Sequence, residues 1–192
     1  LRLIILLWAL PALLLGTAAG CQEPPAQPHH KNTEQQHIMD HEDILQVIFH
    51  PRKSRKTEPP ANAVNIDATV ADSVNIGCRL FTHNTAAPTI IFFHGNGEIV
   101  PDYDDIAPFY LAEGLNFAVC DYRGYGWSDG VPRVSTFLSD AEAAFLHLRT
   151  WLAEHQYTGP FFVMGRSLGS ACAIDIAANH ADAISGLIIE SG

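Results

Sequence analysis

The 192-residue chain is predicted to be an α/β protein, with a mostly parallel central sheet and helices on both faces, on three observations. Continuous apolar runs of strand length recur from residue 89 onward, segments of helical periodicity lie between them, and an alternating hairpin precedes both. Strands that alternate with helices close into a parallel sheet, because each crossover carries the chain back to the same end. The composition suits one globular domain with a sizeable core: 47% of residues are hydrophobic and the mean hydropathy is +0.07. The formal charge of −10 argues against nucleic acid as a partner, since a phosphate backbone demands a basic face.

The first element is not part of the fold. Leu3 to Leu15 is an apolar run broken only by Pro11, with Arg2 before it and Gly16, Thr17, Ala18, Ala19 and Gly20 after it. The run is short for a membrane span and has the architecture of a signal peptide. Ending at Cys21, it resembles a bacterial lipoprotein signal. That resemblance implies that residues 1–20 are removed, that Cys21 is lipidated, and that the protein is exported and held on a membrane by its anchor. An uncleaved helical anchor is the alternative.

Residues 22–37, with Pro24, Pro25 and Pro28 among polar side chains, read as a tether, and the whole stretch 21–60 as tether and pre-domain segment. Five histidines between His29 and His50 have no metal-ligand spacing and read as solvated, so no metal or other cofactor is expected. Arg52, Lys53, Arg55 and Lys56 read as a solvated basic loop, with anionic headgroups as a second reading.

The domain then occupies residues 61–192. Val64, Ile66, Ala68 and Val70 alternate with polar residues, as do Val74, Ile76, Cys78 and Leu80, which predicts a hairpin. Thr89 to Phe93 reads as a strand covered on both faces, 102–113 as a helix, and Phe117 to Cys120 as a second buried strand. Ser139 and Glu142 have the spacing of a capping box. Phe137, Ala141, Ala144, Phe145, Leu148 and Leu152 mark one face of the helix beside it. Phe161 to Met164 is a third buried strand, Ser167 to His180 a helix, and Ile184 to Ile189 a fourth strand. Cys78, Cys120 and Cys172 fall in apolar segments and read as buried small hydrophobes, with a disulfide in an oxidising compartment as the alternative.

Three glycine-rich motifs follow strands. Gly165-Arg166-Ser167-Leu168-Gly169 sits between a strand and a helix, where a tight turn lifts the serine clear of the sheet and the two glycines let strand and helix converge. His94-Gly95-Asn96-Gly97 follows the strand ending at Phe93, and Gly95 and Gly97 leave backbone N–H groups free to approach an oxyanion. Asp121-Tyr122-Arg123-Gly124-Tyr125-Gly126-Trp127-Ser128 follows the next strand and reads as a structural turn.

Together the three motifs resemble the α/β-hydrolase family, and the group nearest in pattern is that of serine aminopeptidase-like, lysophospholipase-like and monoacylglycerol lipase-like hydrolases. The resemblance covers about residues 60 to 192. It implies that Ser167 is the nucleophile, that the backbone N–H groups of Asn96 and Leu168 form the oxyanion hole, and that His94 is structural. The substrate implied is a small or lipid-like acyl compound, an ester, thioester or amide.

The family orders its triad serine, acid, histidine. After Ser167 come Asp175 and His180, inside the predicted helix leading away from the site, then Asp182 and Glu190. Glu190 ends a strand where a minority of the family carries its acid, and is the one candidate. No residue fits the histidine or the lid. The expectation is therefore a hydrolase domain whose last strands, base and lid lie beyond Gly192, inactive without them. An exported binding module that keeps the fold without the triad is the alternative. The intact glycine motifs favour the enzyme.

Overall fold

The computed structural model describes residues 38–71 and 73–191. The apolar leader, Cys21 and the tether at 22–37 lie outside the described residues. Helix α1 (Glu42–Ile48) precedes the hairpin of β1 (Ala63–Ala71) and β2 (Val74–Phe81). β3 (Thr89–Phe93), a 3-10 turn (Val100–Tyr103), α2 (Ala107–Ala112) and β4 (Asn116–Cys120) follow. The chain continues through α3 (Val134–Glu154), β5 (Phe161–Arg166), α4 (Gly169–Asn179), a second 3-10 turn (Ala181–Ala183) and β6 (Gly186–Glu190).

The six strands form one sheet in the order β1-β2-β4-β3-β5-β6. β4, β3, β5 and β6 run parallel, and the β1–β2 hairpin joins them with β2 antiparallel to β4. Strand periodicity sorts the core. Ile91, Phe93, Ala118, Cys120 and Val163 face one side, where Phe145, Leu148 and Leu152 of α3 and Cys172, Ala173 and Ile176 of α4 cover them. Ile90, Phe92, Phe117, Val119 and Met164 face the other, under Val100, Tyr103 and Ala107. Burial of both faces explains why β3 and β4 read as unbroken apolar runs. Cys78, Cys120 and Cys172 are buried and free, as their apolar surroundings predict.

Three expectations are corrected. The helix read at 102–113 is split into the turn at Val100–Tyr103 and α2, with Pro101 and Pro108 each in the first turn of its own piece. A proline lacks the N–H that would carry one helix through both. The capping box at Ser139 and Glu142 does not form: α3 starts at Val134, and the Ser139 hydroxyl donates to the Thr136 carbonyl 3.1 Å away. The helix is capped from outside, by the Asp40 carboxylate. It accepts the Ser135 backbone N–H at 3.2 Å and the Ser135 hydroxyl.

The basic cluster is also not simply solvated. Arg52 pairs with Asp102 (2.6 Å), Lys56 pairs with Asp67 (2.5 Å), and Lys53 donates to the Ser128 carbonyl (2.6 Å). Asp102 and Ser128 are distant in sequence and Asp67 lies on β1, so local composition does not reveal these partners.

Candidate active site

β5 ends in the turn that carries Ser167. Its backbone has φ 49°, in the left-handed region that a serine occupies only when its surroundings hold it there, and its residue is exposed. The surroundings are glycines. A Cβ on Gly165 would run into the backbone of Gly169 and Ser170, and one on Gly169 would run into the Phe93 and His94 carbonyls of β3. The elbow therefore closes directly onto the end of the neighbouring strand, and that strand leads into the loop at 94–97. The Ser167 N–H donates to the Glu190 carbonyl (3.0 Å), tying the turn to β6.

That loop is built to be rigid. His94 is fully buried and spans two acceptors, the Gly95 carbonyl from Nδ1 (2.9 Å) and Asp121 Oδ1 from Nε2 (3.1 Å). Burial raises the Asp121 pKa, and the contacts with His94 and the Val100 N–H pull it part of the way back. Tyr122 donates to the His94 carbonyl (2.5 Å). His94 is thus a structural residue of the loop, as read from the sequence. Gly97 turns the chain at φ 78°. Among the described residues, the backbone N–H groups of Asn96 and Leu168 find no protein acceptor. Both are free to face a developing oxyanion.

An ion-pair network links loop and elbow, and little in the sequence announces it. Glu98 Oε2 accepts the Gly95 N–H (2.8 Å) and the Tyr103 hydroxyl (2.6 Å), while Oε1 lies 3.2 Å from Arg166 Nη1. Burial, then the Glu98 contact, pushes the Tyr103 hydroxyl far above its ordinary pKa. Burial pulls the Arg166 pKa down, and Glu98, Tyr103 and Glu190 together more than offset this, leaving it raised. The only local signal was the acidic residue three positions after Gly95.

The remaining residues divide plainly. Glu190 ends β6 in register with Arg166, next to the elbow. Asp175 and His180 are on α4 and at its end, and His180 Nε2 is 2.6 Å from Glu142 on α3. No described histidine hydrogen-bonds to the Ser167 hydroxyl. No group of three or more His, Cys, Asp or Glu among the described residues could hold a metal ion. No described helix is long and apolar enough to cross a membrane.

A parallel sheet with helices on both faces, an exposed serine on a left-handed turn after β5 and a glycine loop after β3 define an α/β-hydrolase. The family model for serine aminopeptidase, S33, matches residues 84–192, and the chain belongs to that family. Among curated relatives, protein bem46 of Schizosaccharomyces pombe is 31% identical over 73% of this chain and 50% of its own length. Alpha/beta hydrolase domain-containing protein 17B of Homo sapiens is 33% identical over 50% of this chain and 33% of its own. The chain thus spans between a third and a half of these relatives. Among solved structures, a carboxyl esterase from Bacillus coagulans superposes with a TM-score of 0.56 at 24% identity, covering 69% of this chain and 44% of that one. An α/β-hydrolase from Vibrio vulnificus gives 0.55 at 23%, over 66% and 44%. These superpositions agree with the fold.

Proposed function

We propose that the protein is a serine hydrolase that cleaves ester, thioester or amide carbonyls through an acyl-enzyme at Ser167. The observation that carries this is the exposed Ser167 at φ 49°, on an elbow whose glycines press it against the loop holding the free Asn96 N–H. A serine with only a packing role has no need of such a backbone. Oγ attacks the carbonyl carbon while a base takes its proton. The tetrahedral oxyanion is held by the Asn96 and Leu168 N–H groups. The C–O, C–S or C–N bond then breaks, the leaving group takes the proton, and water hydrolyses the acyl ester. The histidine base comes from outside the described residues, and Glu190, beside the elbow, is the candidate acid. Membership of the serine aminopeptidase family supports the class of reaction.

The test is a fluorophosphonate probe, applied to the chain expressed with any coding sequence that follows Gly192 and to its Ser167→Ala variant. The expected result is an adduct on the peptide containing Ser167, absent from the variant. Residues 1–192 alone are expected to label far more weakly, since a triad without its histidine keeps only roughly 10³–10⁴ of its acceleration over water. No Ser167-dependent label in the longer protein would favour the binding-module alternative.

The anchor belongs to the same proposal: Cys21 is lipidated and holds the exported protein on a membrane, at its periplasmic or extracellular face. A Cys21→Ser variant is expected to lose acyl label and move to the soluble fraction. Unchanged fractionation would overturn the anchor.

A further inference from the structure

We propose that residues 48–54, which precede the family-matched stretch, form a strap that positions the oxyanion loop through the Asn96 side chain. This rests on the reading of Asn96 as an oxyanion donor and extends it to the residues that hold Asn96 in place.

The side chain of Asn96 uses its full hydrogen-bonding capacity. Oδ1 accepts the His50 N–H (2.9 Å) and the Tyr125 hydroxyl (2.7 Å). Nδ2 donates to the Ile48 carbonyl (2.8 Å) and to His50 Nδ1 (2.9 Å). Three of the four partners belong to the strap. An aspartate at this position lacks both donors, and a leucine lacks every partner. Arg52 adds a second grip on the same loop, donating to the Gly97 carbonyl (3.2 Å) and to Asp102 Oδ1 (2.6 Å).

The strap is itself fastened at both ends. Phe49 is 3% exposed in the main core, with its ring 5.4 Å from that of Phe137. Beyond it, Arg52 and Ser54 make backbone hydrogen bonds with Gly126, the Arg52 carbonyl accepting its N–H (2.8 Å) and the Ser54 N–H donating to its carbonyl (3.0 Å). Burial pushes the Tyr125 hydroxyl up to about 12, so it remains a donor to Asn96 at any pH near neutrality.

The consequence is chemical. An oxyanion donor lowers a barrier only if it already points at the place where charge will develop, so that no reorganisation accompanies the reaction. Gly95 and Gly97 give the loop freedom that works against this. The Asn96 side chain, held from above by the strap, removes it. Asn96 thus acts twice, its N–H toward the substrate and its carboxamide as the point where the strap takes hold, while His50 is a positioning residue.

The experiment uses the chain with any coding sequence that follows Gly192, in four forms: parent, His50→Ala, Asn96→Ala and the double variant. Amide hydrogen exchange is read at residues 94–98 and across β3 and β5. Turnover of p-nitrophenyl butyrate is read against Ser167→Ala as the blank. Asn96→Ala is expected to speed exchange at 94–98 by about tenfold or more while β3 and β5 stay protected. It is expected to lower kcat at least about tenfold with KM within about twofold, a fraction of the roughly 10²–10³ that outright loss of one oxyanion donor costs. His50→Ala should act in the same direction and more weakly, and the double variant should be no worse than Asn96→Ala alone, because the two share one contact. Unchanged exchange at 94–98 in both single variants overturns the strap. Faster exchange with unchanged kcat overturns its positioning role. If the Ser167→Ala blank turns over as fast as the parent, the reading of Ser167 fails, and the exchange result alone then decides whether the strap holds the loop.

Discussion

Two serines close glycine-rich turns at the same end of the sheet, and the structure treats them in opposite ways. Ser167, after β5, is exposed on a left-handed backbone, with Gly165 packed against the start of α4 and Gly169 against the end of β3. Ser128, in the loop after β4, is 2% exposed, and its Oγ accepts the Gly77 N–H at 2.9 Å. That loop is stitched inward throughout. Arg123 makes a double contact with Asp140 on α3 (2.8 and 2.6 Å), and a Cβ on Gly126 would collide with Asp121. In the second loop glycines allow a turn to be buried. In the first they allow a hydroxyl to be presented. A glycine-serine pattern therefore indicates close approach, and partnering and exposure decide whether chemistry follows.

The sharpest way to break this comparison is to exchange the fates of the two serines. Ser167→Ala should abolish Ser167-dependent turnover, a loss of roughly three orders of magnitude or more, with little change in thermal melting. A variant that stays active would mean that the exposed hydroxyl is not the nucleophile. Next in size is Gly169→Ala. Its methyl meets the Phe93 carbonyl, a backbone atom that cannot rotate away, so urea unfolding should show a loss of about 3 kcal/mol. Ser128→Ala should have the reverse profile of Ser167→Ala. It should lose about 2 kcal/mol from the buried Gly77 N–H left without its partner, while fluorophosphonate labelling at Ser167 stays within about twofold of the parent.

The smallest effect concerns pH. The Asp40 carboxyl, which caps α3 beyond the second loop, is pushed up by burial but held below its ordinary pKa by the Ser135 hydroxyl and N–H and by Arg133. A depressed carboxylate gives stability that is present above its unfolded pKa, near 3.9, and lost as pH falls through the folded value. Melting followed from pH 7 to below pH 4 should therefore be less acid-sensitive in Asp40→Asn, by about 1 kcal/mol, the usual contribution of such a cap. An identical pH profile in both proteins would show that Asp40 does not cap α3 in solution.

What the sequence made legible was local. The strands around Phe92 and Ala118 announce themselves because each is buried on both faces, and the hairpin because its two runs alternate. The elbow is legible because its glycines answer to atoms a few residues away or on the adjacent strand. The start of α3 was misread because its cap, Asp40, arrives from 95 residues earlier. Pro101 and Pro108 mark the split of the 102–113 segment, although its apolar periodicity runs on past Pro108. The grip of Ile48, His50 and Arg52 on Asn96 and Gly97 was invisible for the first of these reasons. An irregular segment has no periodicity, and its hydrogen bonds are made with residues about 45 positions later. Glu98 and Arg166 likewise meet only through the convergence of β3 and β5.

The strand order also has a consequence for how the chain is made. β3 lies between β4 and β5, and β5 begins at Phe161, about 70 residues after β3 ends at Phe93. At a synthesis rate of about 5–20 residues per second, one edge of β3 waits roughly 3–14 seconds for its partner. All five of its residues are buried in the finished sheet, so during that interval an apolar strand with open backbone groups is available to any similar strand nearby. The nascent chain needs a chaperone's protection most after β4 has emerged and before β5 has, and slowing elongation between residues 120 and 161 should increase aggregation more than slowing it anywhere else in the domain.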